Sequence, residues 1–203
     1  AEGVQLDHHP DPGKSRGQYL ELLELSVAEA PEDDRNMHYL GRDYLYRGRW
    51  EDCIRTLQRH LAMPSAVWGD ERCASMRYLA KANLMLGRRG EARNWHLRAI
   101  AQAPHLREPY LDFARQLYEE EEWDGVLYFT RAALAIRERP RTYITEAASW
   151  GSLPHDLQAI AYHRTGRLTE ALQAAQQALA ISPGDPRLAG NVACLERQLA
   201  RKE

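Results

Sequence analysis

Small and bulky positions alternate along this chain at fixed offsets. Gly41, Ala80, Ala114 and Ala159 form one column of small residues, and three positions later stand Tyr44, Asn83, Leu117 and Tyr162, bulky in all copies but the second. Further on come two more columns, Cys53, Ala92, Val126 and Ala171, then His60, Ala99, Ala133 and Ala178. Between the bulky position and the next small one lies a turn marked by Gly48, Gly87 and Gly166, with Glu121 in the glycine's place in the third copy, and copies close near Pro64, Pro104 and Pro183. Apolar residues at helical spacing, broken by a glycine and closed by a proline, predict pairs of antiparallel helices whose small residues let the two members approach. The frames fall near 34–65, 73–106, 107–140 and 152–184, the middle two sharing one unbroken period of about 34 residues.

The flanks extend the pattern. From Gln18 to Ala30 the residues Leu20, Leu23 and Val27 share one helical face, which predicts a helix packed ahead of the first pair. At the other end Asp185 can cap a helix beginning at Pro186, with Leu188, Val192, Leu195 and Leu199 as its stripe, so 185–201 reads as a terminal capping helix. Residues 1–17 read as a linker. Extra residues around Ala66 to Asp70 and between Arg141 and Gly151 break the period, and both read as lengthened, packed connections, with a ligand-contacting elaboration as the other reading.

Taken position by position, these columns resemble the tetratricopeptide repeat (TPR). The resemblance implies an all-α fold, a right-handed superhelix of antiparallel helical hairpins whose first helices line a concave groove. The groove positions would be Arg35, His38, Arg42 and Leu45, then Ala74, Arg77, Lys81 and Leu84, then Glu108, Leu111, Arg115 and Tyr118, and last Leu153, Asp156, Ile160 and His163. Arg35, His38, Arg42, Arg77, Lys81, Arg115 and Tyr118 are the candidate binding residues. They give the first three repeats a basic wall suited to an acidic peptide tail or a phosphate-bearing ligand, because arginine offers a planar fork of donors and a concave wall focuses the field.

Charge narrows the partners further. The 27 basic and 29 acidic side chains leave a formal net charge of −2, against the polybasic balance of a nucleic-acid binder. No apolar run nears the roughly 18 residues of a membrane span. Three widely spaced cysteines without a CxxC pair fit neither a disulfide framework nor a zinc ribbon, and place the expected location in the reducing cytoplasm. The first residue is alanine, which reads as a piece of a longer protein.

Signatures of catalysis are missing. GxSxG, HExxH, GxGxxG and P-loop patterns do not occur, and no two histidines stand three or four residues apart on a predicted helix. His60, His96 and His163 read as packing or surface residues. The segment Asp7-His8-His9-Pro10-Asp11 is the one local cluster with metal-binding residue types, although adjacent side chains in extended chain diverge.

A second resemblance covers nearly the whole chain. Lys14-Ser15-Arg16, Tyr19-Leu20-Glu21-Leu22-Leu23-Glu24, Tyr39-Leu40-Gly41-Arg42-Asp43-Tyr44, Glu71-Arg72, Arg107-Glu108-Pro109-Tyr110, Tyr143-Ile144-Thr145-Glu146, Trp150-Gly151, Pro154-His155-Asp156-Leu157 and Pro183-Gly184-Asp185-Pro186-Arg187-Leu188 follow one another in the order of the helical region behind the catalytic domain of bacterial family-2 glycosyltransferases. That resemblance implies a parent enzyme using a sugar nucleotide and a divalent metal, with its catalytic domain ahead of Ala1. This region would then bind or orient a protein or glycan acceptor, or mediate assembly into homo-oligomers. It also implies that His8 or His9 completes the metal site beside Lys14 and Arg16, while the chain alone is inactive. The alternative is a free-standing TPR adaptor that binds an acidic peptide tail in its groove.

Overall fold

The structure, a computed structural model, describes residues 17–201. In chain order the helices are α1 (Gly17–Glu29), α2 (Asp34–Tyr46), α3 (Trp50–Ala62), α4 (Gly69–Met85), α5 (Arg89–Gln102), α6 (Glu108–Glu119), α7 (Trp123–Ala135), α8 (Leu153–Arg164), α9 (Leu168–Ile181) and α10 (Pro186–Leu199), with a single 3₁₀ turn at Ala147–Trp150. Among the described residues there is no strand, and no helix is long and apolar enough to cross a membrane.

Each hairpin closes by the same backbone device. Gly48, Gly87 and Gly166 adopt φ of 73°, 74° and 77°, which lets the amide of the following residue turn back and reach a helix carbonyl. The accepting carbonyls are those of the bulky column: Arg49 N–H reaches Tyr44 at 2.9 Å, Arg88 reaches Asn83 at 2.9 Å and Arg167 reaches Tyr162 at 2.9 Å. In the third hairpin Glu122 reaches Leu117 at 2.8 Å, and here Glu121 is forced to φ 58°. Left-handed backbone is easy for glycine and costly for any residue with a Cβ.

The small columns are where paired helices touch. A Cβ on Gly41 would stand 2.3 Å from Leu57 Cδ2, so α2 and α3 meet without room for a methyl group. Ala80 and Ala114 in the same column, and Cys53, Ala92, Val126 and Ala171 in the next, are buried. Leu23 and Val27 of α1 join the core of the first hairpin, while Leu188, Val192 and Leu195 of α10 cover the end of the last. Asp185 caps α10 by accepting from the amides of Arg187 and Leu188, with Pro186 as its first residue. Each helix from α1 to α10 packs on its neighbours in sequence, and α2, α4, α6 and α8 also touch in succession to make one continuous inner wall.

Both breaks in the period serve this wall. Helix α4 starts four residues ahead of the frame at Cys73, so part of the first insertion is an added helical turn carrying Asp70 and Glu71. The second insertion, between α7 and α8, runs back across the inner wall and is anchored there.

Candidate functional site

Four side chains of the inner wall hold the inserted segment 136–152. Arg107 donates to the carbonyl of Ile136 through Nε (3.0 Å) and Nη2 (2.7 Å), and its guanidinium lies 4.0 Å over the Trp150 ring. Glu108, fully buried, accepts at Oε1 from the Glu146 amide (2.9 Å) and from Trp150 Nε1 (3.1 Å). Arg77 donates to Glu146 at 2.5 Å and to Asp112 at 2.6 Å. Tyr143 donates its hydroxyl to Glu71 and packs near the rings of Tyr39 and Trp68, so the two insertions meet each other over the first hairpin.

This strap changes the expected groove. His38 is fully buried and bonded to Ser75, not open to a ligand, and Ala74, Glu108 and Leu111 are covered as well. Burial works to lower the pKa of Arg77, but Asp112 and Glu146 outweigh it and hold the guanidinium charged. Burial likewise works to raise Asp112, and the adjacent Arg77 cation keeps it below the usual carboxylate range. Arg77 is therefore a structural cation with its charge already spent. Arg35 is exposed at the start of α2, and Arg42 lies 4.7 Å over the ring of Tyr39. Tyr118 turns toward Trp123, edge-on at 5.7 Å, in the packing between α6 and α7. In the last hairpin Asp156 pairs with Arg187 at 2.9 Å and His163 meets Gln198 at 3.0 Å.

Beside the strap a cleft of about 390 Å³ remains open on the inner wall. Arg77, Lys81 and Arg115 border it, against Asp112, Glu119 and Glu146, so the basic wall expected from helix spacing is balanced by acidic groups that the fold brings in. Lys81 and Arg115 are exposed and make neither a hydrogen bond nor an ion pair among the described residues. Leu45, Tyr46, Tyr78 and Leu84 supply apolar lining.

A further cluster escaped sequence reasoning. Ser75 Oγ lies between two buried imidazoles, 2.8 Å from Nδ1 of His38 and 3.0 Å from Nδ1 of His60. Across the His60 ring, Nε2 stands 3.7 Å from Glu71 Oε1. Burial drives the pKa of His38 down to about 3, so that ring is neutral and can accept. The available signal was His60 itself, standing where the other hairpins have alanine. His8, His9, Lys14 and Arg16 lie outside the described residues.

No family model and no curated protein matches the chain. Solved structures do. In the APC/C hetero-tetramer Cut9–Hcn1 the matched chain shares 11% identity at a TM-score of 0.67, over 90% of this chain and 33% of that one, so this chain spans a third of its length. A thermophilic TPR protein of Thermus thermophilus matches at 20% identity and TM-score 0.58, over 87% of this chain and 88% of that one. YrrB, described as a TPR protein with an unusual peptide-binding site, matches at 15% identity and TM-score 0.59, over 85% and 81%. The fold is a TPR solenoid. The TPR architecture stacks hairpins so that their first helices present an extended concave surface, the general basis of its use in protein interactions.

Proposed function

We propose that this TPR chain is a protein-interaction module that takes a short segment of a partner, carrying both an acidic and an apolar side chain, in the cleft beside the strap. The carrying observation is that Lys81 and Arg115, which make no ion pair among the described residues, stand beside an apolar lining in the cleft, while the neighbouring Arg77 is held by Asp112 and Glu146. An acidic group would seat between the two cations, while the apolar side chain would lie on Tyr46 and Leu84. The peptide-binding site described for YrrB supports the same use of this fold. Contacts of that kind, partly exposed, give micromolar affinity that weakens with salt. The test is an array of labelled peptides read by fluorescence anisotropy. Binders should lose at least about tenfold in affinity, roughly 1.4 kcal/mol, in the Lys81→Glu, Arg115→Glu double variant. Binders indifferent to that reversal would rule out the cleft.

A second reading, that the module serves a family-2 glycosyltransferase and presents a protein or glycan acceptor to it, draws support from one observation. Separate strings that carry that resemblance, Glu71, Arg107-Glu108, Tyr143 to Glu146 and Trp150, join around the strap through hydrogen bonds and ring contacts. A sugar-nucleotide-binding domain encoded ahead of Ala1 is the feature to look for; its absence from the parent reading frame would exclude this reading.

A further inference from the structure

The first hairpin departs from the others at a position built for a small residue. Ala99, Ala133 and Ala178 are fully buried there, and His60, just as fully buried, stands in their place. Its ring is polar on both sides. Nδ1 is engaged by Ser75, but Nε2 has no hydrogen-bond partner and faces Glu71. Buried polar atoms are nearly always paired, and this nitrogen faces a carboxylate oxygen 3.7 Å away, beyond hydrogen-bond distance, as two ligands around a shared ion would. Asp34, the first residue of α2, adds a third donor. One donor atom from each of Asp34, His60 and Glu71 lies within 4.8 Å of the other two.

We propose that Asp34, His60 and Glu71 bind a divalent first-row transition cation, Zn²⁺ foremost, at the junction of α2, α3 and α4. Two carboxylates balance the charge of a dication, and the imidazole nitrogen favours zinc over magnesium or calcium, which take oxygen. Ligands about 2.0–2.1 Å from a tetrahedral zinc stand roughly 3.3–3.4 Å apart. The 3.7 Å between His60 Nε2 and Glu71 Oε1 needs to close by only a few tenths of an ångström. Asp34, at the start of α2, is half-buried, whereas His60 and Glu71 are buried.

The surrounding bonds are those that a metal site requires. A His60 ligating through Nε2 keeps its proton on Nδ1 and donates it to Ser75 Oγ. The Ser75 hydroxyl then donates to Nδ1 of His38, so the proton order runs one way along the chain of bonds. Tyr143 donates to Glu71 Oε2, which leaves Oε1 for the cation. Glu71 comes from the added turn of α4 and Tyr143 from the strap, so both breaks in the repeat period deliver groups to this one place.

The experiment uses the full chain with His8→Ala and His9→Ala as background, so that the terminal imidazoles contribute nothing. After chelator treatment, Zn²⁺ is titrated calorimetrically, Co²⁺ is followed by its visible absorption, and Tm is recorded with and without metal. We expect one Zn²⁺ per chain, a higher Tm in its presence, and no comparable effect of Mg²⁺. Asp34→Asn and His60→Ala should each weaken binding at least about tenfold and abolish the metal-dependent rise in Tm. His60→Ala restores the residue of the other three hairpins, so a cooperative melt without metal separates loss of the site from loss of the fold. Absence of stoichiometric Zn²⁺ binding, or binding undiminished by His60→Ala, would overturn the proposal. Neither result bears on peptide capture in the cleft, which involves other residues.

Discussion

Glu121 is the one non-glycine residue with positive φ among the described residues, and it sits where the other hairpins use glycine. Replacing it tests whether the turn is set by backbone conformation. An L-residue in left-handed geometry costs about 1–2 kcal/mol. Glycine removes that cost but adds back roughly 0.5–1 kcal/mol through its freedom in the unfolded chain. Glu121 is exposed, and its side chain has no bond among the described residues to lose. Glu121→Gly should therefore stabilise the protein by about 0.5–1 kcal/mol. At roughly 2–4 °C per kcal/mol for a chain of this size, Tm should rise by about 1–4 °C. The reciprocal change is Gly87→Ala, where a Cβ meets nothing within 4 Å, so any loss is conformational and not steric. It should cost about 0.5–1 kcal/mol after the unfolded-state gain of alanine is counted. Thermal melts followed by circular dichroism, with hydrogen exchange across α6 and α7, read both variants. A Tm unchanged or lowered by Glu121→Gly, with Gly87→Ala destabilising, would refute the idea that Glu121 is strained.

Two other outcomes follow from the wall and the core. Glu108→Ala leaves the Glu146 amide and Trp150 Nε1 without their acceptor, so the strap should open and the exposed Arg137 and Arg141 become fast trypsin sites, with little change in overall helicity. Unchanged cleavage would mean that Glu108 does not hold the strap. His96, stacked on Phe113 with both ring nitrogens unpaired, has its pKa lowered by burial to about 4. Between that value and the unfolded value of about 6.5 the unfolded chain binds more protons, so its contribution is complete above pH 6.5 and is lost as pH falls toward 4, of order 3 kcal/mol at most. His96→Leu should flatten this acid limb of a denaturation series, and an equally steep limb would point to other groups.

The hairpins could be read in the sequence because each depends on residues at fixed local offsets. Gly41, Ala80 and Ala114 announce helix contact, and Gly48, Gly87 and Gly166 announce turns, by their own stereochemistry. The strap could not be read in this way. Arg77 meets Glu146 and Glu71 meets Tyr143 across about seventy residues, and nothing near either partner in sequence encodes the other. The partners of Arg77 were hidden for the same reason: helix spacing puts Arg77 on a first helix, but Asp112 and Glu146, which pair with it, arrive from the next repeat and from the insertion. His60 was visible as an odd residue in an alanine column. Its meaning depended on Ser75 and Glu71, which only the stacking of α3 against α4 brings beside it.

In an ordinary solenoid each repeat touches only its neighbours, so the stack bends like a spring and frays from its ends. The strap removes part of that compliance. By tying Glu71 and Arg77 of the second hairpin and Arg107 and Glu108 of the third to one inserted segment, it acts as a chord across the arc and sets the curvature of that stretch. These hairpins should lose their helicity together, and under tension that part of the molecule should yield in one step after the terminal hairpin has begun to stretch.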